Sequence, residues 1–339
     1  MTATLESRRD PRQVFVVGCY RSGTTLVESI VRSHPDVVGL GFETLLFTHV
    51  VPRRSLPAYN DGRWEAPLER YLGVSSWQQV PDDPREVFDA IATSLAKEHD
   101  ASVFVEKTPF HLFHVERILE QDPAARVLLV VRDGRDVVTS VLAGDYPLGR
   151  WPSRRLRLLA ACVLWEQFVC EGHRLMRLQN ERFQTVYYED VVRAPRATLD
   201  HIAGFLGLDH SGATLSDWFD RTRDIGSNSS FEPMHGISDE PAGRWRERQD
   251  LRPGEADLID YLIAPTLELT GYESTAARLT WGRALAARTQ KTSLALARVA
   301  QFKRNTSYAP RRHIWHFLGQ SSGLHKLARP RRDPGRGRR

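Results

Sequence analysis

Between Gly18 and Thr25 the chain reads Gly-Cys-Tyr-Arg-Ser-Gly-Thr-Thr, gathering the cation of Arg21 and the hydroxyls of Ser22, Thr24 and Thr25 around two glycines. Such a stretch suits an anion, because a glycine turn exposes backbone N–H groups and a following helix adds the positive end of its dipole. Gly18 and Gly23 keep the spacing of the phosphate loop in nucleotide-hydrolysing enzymes, but Thr24 stands where those enzymes carry lysine. Hydrolysis of ATP or GTP relies on that lysine at the β- and γ-phosphates. The segment therefore points to a phosphate bound in another context, with Arg21 as its cation.

More than a hundred residues later the apolar run Arg126–Val131 leads directly into Arg132-Asp-Gly-Arg-Asp-Val-Val-Thr-Ser140. An arginine at the carboxyl end of a strand lies where open α/β sheets bind ligands. Ser140 falls about two turns into the helix expected next, at roughly 1.5 Å per residue. An arginine and a hydroxyl converging on one dianion suit charge-assisted recognition of a phosphate.

These residues need elements to hold them. Gln13–Val17 is a short apolar run ending at a glycine turn, which predicts a buried strand. Thr24–Ser33 puts Leu26, Val27, Ile30 and Val31 on one helical face, and His34-Pro35 closes that helix. The stretch from about Arg53 to Arg85 lacks periodicity and reads as an irregular excursion. Helical spacing returns at Val87–Leu95 and Phe110–Glu120, with a strand at Ser102–Val105 between them. After Arg126–Val131, helices are expected through Leu142, over Arg154–Gln179, Pro195–Leu206 and Glu255–Leu269, with a strand at Thr185–Tyr188. Strands alternating with helices imply an α/β fold with a central parallel sheet covered on both faces.

With both motifs in view, the chain resembles the family of sulfotransferases that use 3′-phosphoadenosine 5′-phosphosulfate (PAPS). The segment GCYRSGTTLVESIVRSHPDV is similar above all to protein-tyrosine sulfotransferases and related bacterial enzymes. The resemblance covers roughly residues 13–250. It implies a P-loop-like three-layer fold and in-line transfer of a sulfuryl group from PAPS to an acceptor hydroxyl, without a metal.

The resemblance also distributes roles. Arg21, Ser22, Gly23, Thr24 and Thr25 would hold the 5′-phosphosulfate, and Arg132 with Ser140 the 3′-phosphate. Tyr188, read as closing a strand, would contact the adenine. Arg244, in Gly243-Arg-Trp-Arg-Glu-Arg248, would come from a late loop to the 3′-phosphate. Lys107, in VEKTPFH, would stand near the transferring sulfuryl group. Glu43, in GLGFET, matches the glutamate that serves as general base, while His34, His111 and His114 are the alternatives that neutral pH allows. The acceptor stays open between peptide tyrosine, a carbohydrate and a small molecule, since Leu45 follows Thr44 where the tyrosyl enzymes have arginine.

The 339 residues, 41% apolar and 26% charged, are ordinary for a globular protein. The net charge of +5 is uneven: from Thr280 to Arg339 fifteen Lys/Arg face one acid, Asp333. Residues 1–279 are therefore expected to form the catalytic domain, and residues 280–339 a basic extension that is partly helical or disordered. That extension is expected to be solvated, with peripheral contact to an acidic surface as the alternative and no specific nucleic acid as partner. Three cysteines, no signal-type apolar stretch at the start and no membrane-spanning run predict a cytoplasmic enzyme. Two rival readings remain at this level: a P-loop kinase, disfavoured by the missing lysine, and a non-catalytic protein recruited through its basic end.

Overall fold

A computed structural model of the chain describes residues 10–48, 65–75, 79–144, 151–222, 237, 242, 243, 245, 247, 251–275, 286 and 289–293. Arg244 and most of the basic 280–339 segment lie outside the described residues. The chain divides into two compact units, residues 1–132 with 175–244, and residues 133–174 with 245–339.

The first unit carries a five-stranded parallel sheet. Its strands are β1 (Arg12–Gly18), β2 (Val37–Val38), β3 (Val103–Lys107), β4 (Arg126–Val131) and β5 (Phe183–Tyr187), in the order β2-β3-β1-β4-β5. From β1 the chain winds first toward β3 and then toward β4, so the switch point falls at the carboxyl ends beside β1, where such sheets bind ligands.

Side chains alternate across each strand, and the two faces differ. On one face Val14, Val16, Val105, Leu128, Val130 and Val186 form a buried aliphatic core. That core is covered by α1 (Thr24–Arg32), α7 (Tyr188–Arg193), α8 (Pro195–Leu206) and α9 (Gly212–Arg221). The Trp218 indole closes it, donating through Nε1 to the Ile30 carbonyl at 2.8 Å. On the other face Phe15, Phe47, Phe88 and Phe104 form an aromatic cluster with centroids 5.2–5.8 Å apart. Phe88 comes from α3 (Pro84–His99), whose N-cap Asp83 accepts the Arg85 N–H.

Several expectations need correction. The excursion between Arg53 and Arg85 contains the helix α2 (Glu65–Leu72), where Leu68 and Leu72 stand one turn apart and Leu68 is buried. Phe110–Glu120 is not one helix. A 3₁₀ turn, Pro109–His114, precedes α4 (Val115–Gln121), and His111 N–H bonds back to the Thr108 carbonyl at 2.9 Å. Tyr188 does not close a strand; β5 ends at Tyr187 and Tyr188 opens α7. Neither β2 nor α9 was foreseen. Two residues are too few to show a period.

The second unit contains α5 (Gly134–Ala143), α6 (Arg154–Met176) and α10 (Glu255–Leu267). Gly134 is required by packing, since a Cβ there would sit 2.5 Å from the Trp165 ring. Arg135 is held by Asp133 at 2.7 Å and Asp260 at 3.0 Å, and its guanidinium lies over the Trp245 ring. Lys291 is buried here, donating to Glu166 at 2.7 Å. Glu166 also accepts from Thr266.

Candidate active site

The phosphate loop follows β1 without a break. Gly18 leaves the strand at φ 150°, where a Cβ would lie 2.5 Å from the Val130 carbonyl of β4. Glycine is needed there because two parallel strands pass that closely. Arg21 then takes φ 68°, a left-handed conformation that costs a non-glycine residue about 1 kcal/mol. Its carbonyl accepts Arg132 Nη1 at 3.2 Å, so this conformation joins the loop to the end of β4.

Gly23 caps α1 at φ 90°, with no side-chain cap and no acid in the first turn. The first N–H groups of a helix have no partner within it, so this end is open to an anion. Beside it the Ser22 hydroxyl is buried and has no hydrogen-bond partner among the described residues. A buried polar atom without a partner is costly, and an oxyanion at the helix end would satisfy it. Thr24 is buried and Thr25 half-buried.

Tyr188 fixes the other side of the loop. A Cβ on Gly23 would meet its ring at 2.4 Å, and the Arg132 guanidinium stacks on the same ring at 4.2 Å. Gly23, Tyr188 and Arg132 therefore form one packed group at the carboxyl ends of β1, β4 and β5. Gly23→Ala should combine left-handed strain of about 1–2 kcal/mol with an overpacking cost of about 1–3 kcal/mol. The expected result is a melting temperature several degrees lower and a disordered phosphate loop, measured by calorimetry and by hydrogen exchange of residues 18–26.

Lys107 ends β3, the strand next to β1, and is buried instead of lying on the surface. Its Nζ donates to Glu43 Oε1 at 3.0 Å, across 64 residues of sequence. The sheet thus brings together the cation and the carboxylate that sequence reasoning named separately. An ammonium and a carboxylate at one strand end, next to a loop whose helix end is open to an anion, suit a reaction that removes a proton and stabilises developing negative charge.

Two of the three candidate histidines have defined partners in the fold. His34 receives the Asp36 N–H on Nδ1 at 3.1 Å, and its Nε2 lies 3.1 Å from the Asp209 carbonyl. Its ring meets Trp218 edge-on, so it belongs to the end of α1. His111 is fully buried, bonded through Nδ1 to Glu106 at 2.8 Å and packed on Phe15 and Phe47. His114 is buried as well.

Ser140 lies in α5, in the second unit, and is buried. Arg244 lies outside the described residues. Sequence reasoning missed Glu106 and Thr44, a buried pair beside Lys107 and Glu43. The available signal was a glutamate inside the apolar strand Val-Phe-Val-Glu-Lys. Among the described residues no three His, Cys, Asp or Glu side chains converge as metal ligands. The three cysteines are free and buried, and burial pushes the Cys162 thiol up to about 12.

A parallel sheet with a glycine loop and an open helix end after its first strand, and an arginine at the end of β4, has the layout of a P-loop-like fold. The profile of the sulfotransferase family matches residues 11–212, and the chain belongs to that family. Among its relatives, a protein-tyrosine sulfotransferase of Drosophila melanogaster is 24% identical over 277 residues, 78% of this chain and 52% of the relative. Protein-tyrosine sulfotransferase 2 of Gallus gallus is 28% identical over 205 residues, 60% of this chain and 53% of the relative. The chain thus spans about half the length of each. The sulfotransferase domain of an olefin synthase from Synechococcus PCC 7002 shares the fold at a TM-score of 0.51 and 20% identity. That superposition covers 81% of this chain and 98% of the domain.

Proposed function

We propose that this sulfotransferase uses PAPS as its donor and sulfates a hydroxyl acceptor, with Glu43 as general base and Lys107 as the cation at the reacting group. The observation that carries the reading is the Glu43–Lys107 pair at the end of β3, beside the strand that leads into the phosphate loop. Arg21, Ser22, Thr24, Thr25 and the N–H groups from Gly23 onward would hold the 5′ end of the donor. Arg132 would take the 3′-phosphate, with Ser140 and Arg244 proposed as its companions. Tyr188 would meet the adenine with the part of its ring that Arg132 and Gly23 leave open.

Bound PAPS supplies the sulfuryl group and departs as 3′-phosphoadenosine 5′-phosphate (PAP). Glu43 takes the proton from the acceptor hydroxyl, and Lys107 donates to oxygen atoms that gain charge. Both animal relatives are named for tyrosine, so a tyrosyl peptide is the first acceptor to try, ahead of carbohydrates and small phenols.

Among the described residues no helix is long and apolar enough to cross a membrane. A reducing, cytoplasmic setting is our reading of the unpaired cysteines. Residues 280–339 would form a basic extension, with Lys291 paired to Glu166 at 2.7 Å.

Thermal unfolding with PAP, 5′-AMP and Mg-ATP tests the donor. A ligand at 100 times its dissociation constant stabilises a fold by about 2.7 kcal/mol. Stabilisation by PAP well beyond that by 5′-AMP is expected. Stabilisation by Mg-ATP alone would overturn the reading in favour of a kinase.

A further inference from the structure

Glu106 is a charge in apolar surroundings. Its side chain is 1% exposed and lies on the face of β3 opposite to Lys107, in register with Phe15. The ring of its partner His111 packs on Phe15 and Phe47. Burial alone would raise the Glu106 pKa, but His111, Thr108 and Thr44 more than offset this, and the carboxyl ends below its ordinary range. A leucine would fill the same space without any of that desolvation. What the carboxylate adds is its set of contacts.

Glu106 Oε1 accepts the Thr44 N–H at 3.2 Å, the Thr44 hydroxyl at 2.8 Å and the Thr108 hydroxyl at 2.6 Å. Thr108 in turn accepts the Leu45 N–H at 3.3 Å. Thr44 follows Glu43, and Lys107 stands between Glu106 and Thr108. The segment around Glu43 belongs to no helix or strand, and Leu45 holds a left-handed φ of 57°. These bonds tie its course to β3 at Glu106 and Thr108.

We propose that Glu106 is a positioning residue. By gripping Thr44 and Thr108 it fixes the two stretches of chain that carry Glu43 and Lys107, and thereby sets the geometry of their pair. It acts through its neighbours and touches no substrate. The proposal rests on the reading of Glu43 and Lys107 given above.

Glu106→Ala would leave buried donors unsatisfied and put folding itself at risk, so Thr44→Val is the principal variant. It keeps the volume, removes the hydroxyl and leaves the N–H. Its kcat with PAPS and a tyrosyl peptide or p-nitrophenol should fall about ten- to a hundredfold, the cost of a misplaced catalytic group. The KM for PAPS and the stabilisation by PAP should stay near wild type, because the phosphate loop is untouched. In the unliganded protein, hydrogen exchange over residues 42–48 should quicken while that of residues 18–26 does not. Thr44→Ser should restore both kcat and protection.

Wild-type kcat with unchanged exchange in Thr44→Val would overturn the proposal, as would a loss that Thr44→Ser does not recover. Glu43→Gln measured in parallel separates the two levels. If it is inactive while Thr44→Val is fully active, only the role of Glu106 fails. If Glu43→Gln is fully active, the assignment of the pair fails, and the role of Glu106 with it.

Discussion

Arg132→Ala is expected to remove most of the discrimination between PAP and 5′-AMP. The side chain is 8% exposed, stacked on Tyr188 and bonded to the Arg21 carbonyl. Its guanidinium is therefore held ready before a ligand arrives, and little entropy is lost when a phosphate binds. A hydrogen bond to a charged group contributes about 1.5–3 kcal/mol, which corresponds to a loss of roughly 10- to 150-fold in PAP affinity. Affinity for 5′-AMP, measured by the same titration calorimetry, should change little. An equal loss for both nucleotides would mean that the substitution had collapsed the phosphate loop through Arg21. Arg132→Lys should recover only part of the effect, because an ammonium neither stacks as a plane nor offers two parallel donors.

Glu43→Gln should lower kcat by about 10²- to 10⁴-fold, the usual contribution of a general base. The amide keeps the volume and still offers Lys107 an acceptor oxygen, so the fold and the stabilisation by PAP should be unaffected. Rates with a tyrosyl peptide, and separately with p-nitrophenol, report the effect. A smaller loss with the phenol is expected, because an acceptor that ionises more readily depends less on a base. Equal, wild-type rates with both acceptors would place the base elsewhere. His34 and His111 would be poor replacements, since the first is engaged at the end of α1 and the second is buried among aromatic rings.

Much of this molecule is legible from local pattern. The apolar runs Gln13–Val17 and Arg126–Val131 read as buried strands, and each is followed at once by residues proposed to hold the donor. The loop after β1 is local too: Gly18, Arg21 and Gly23 all take positive φ within six residues of one another. Helix faces such as that of Leu26, Val27, Ile30 and Val31 depend on neighbours three and four positions away. For features of this range the order of residues is enough.

What the order of residues left open is whatever depends on strands that meet far apart along the chain. The sheet order β2-β3-β1-β4-β5 sets Lys107 beside the phosphate loop and Arg132 against Tyr188, and no periodicity encodes it. Glu43 and Lys107 were each a single polar residue in a loop or at a strand end until the fold joined them at 3.0 Å. The local pattern Thr-Val-Tyr-Tyr reads as strand through Tyr188, yet Tyr188 opens a helix, with its ring packed beside Gly23. The 3₁₀ turn after Thr108 has the same origin, as His111 is drawn back toward Glu106. Local propensities differ by about 1 kcal/mol or less per residue. A buried ion pair or a ring packed against a glycine outweighs that difference, and only the folded chain brings such partners together.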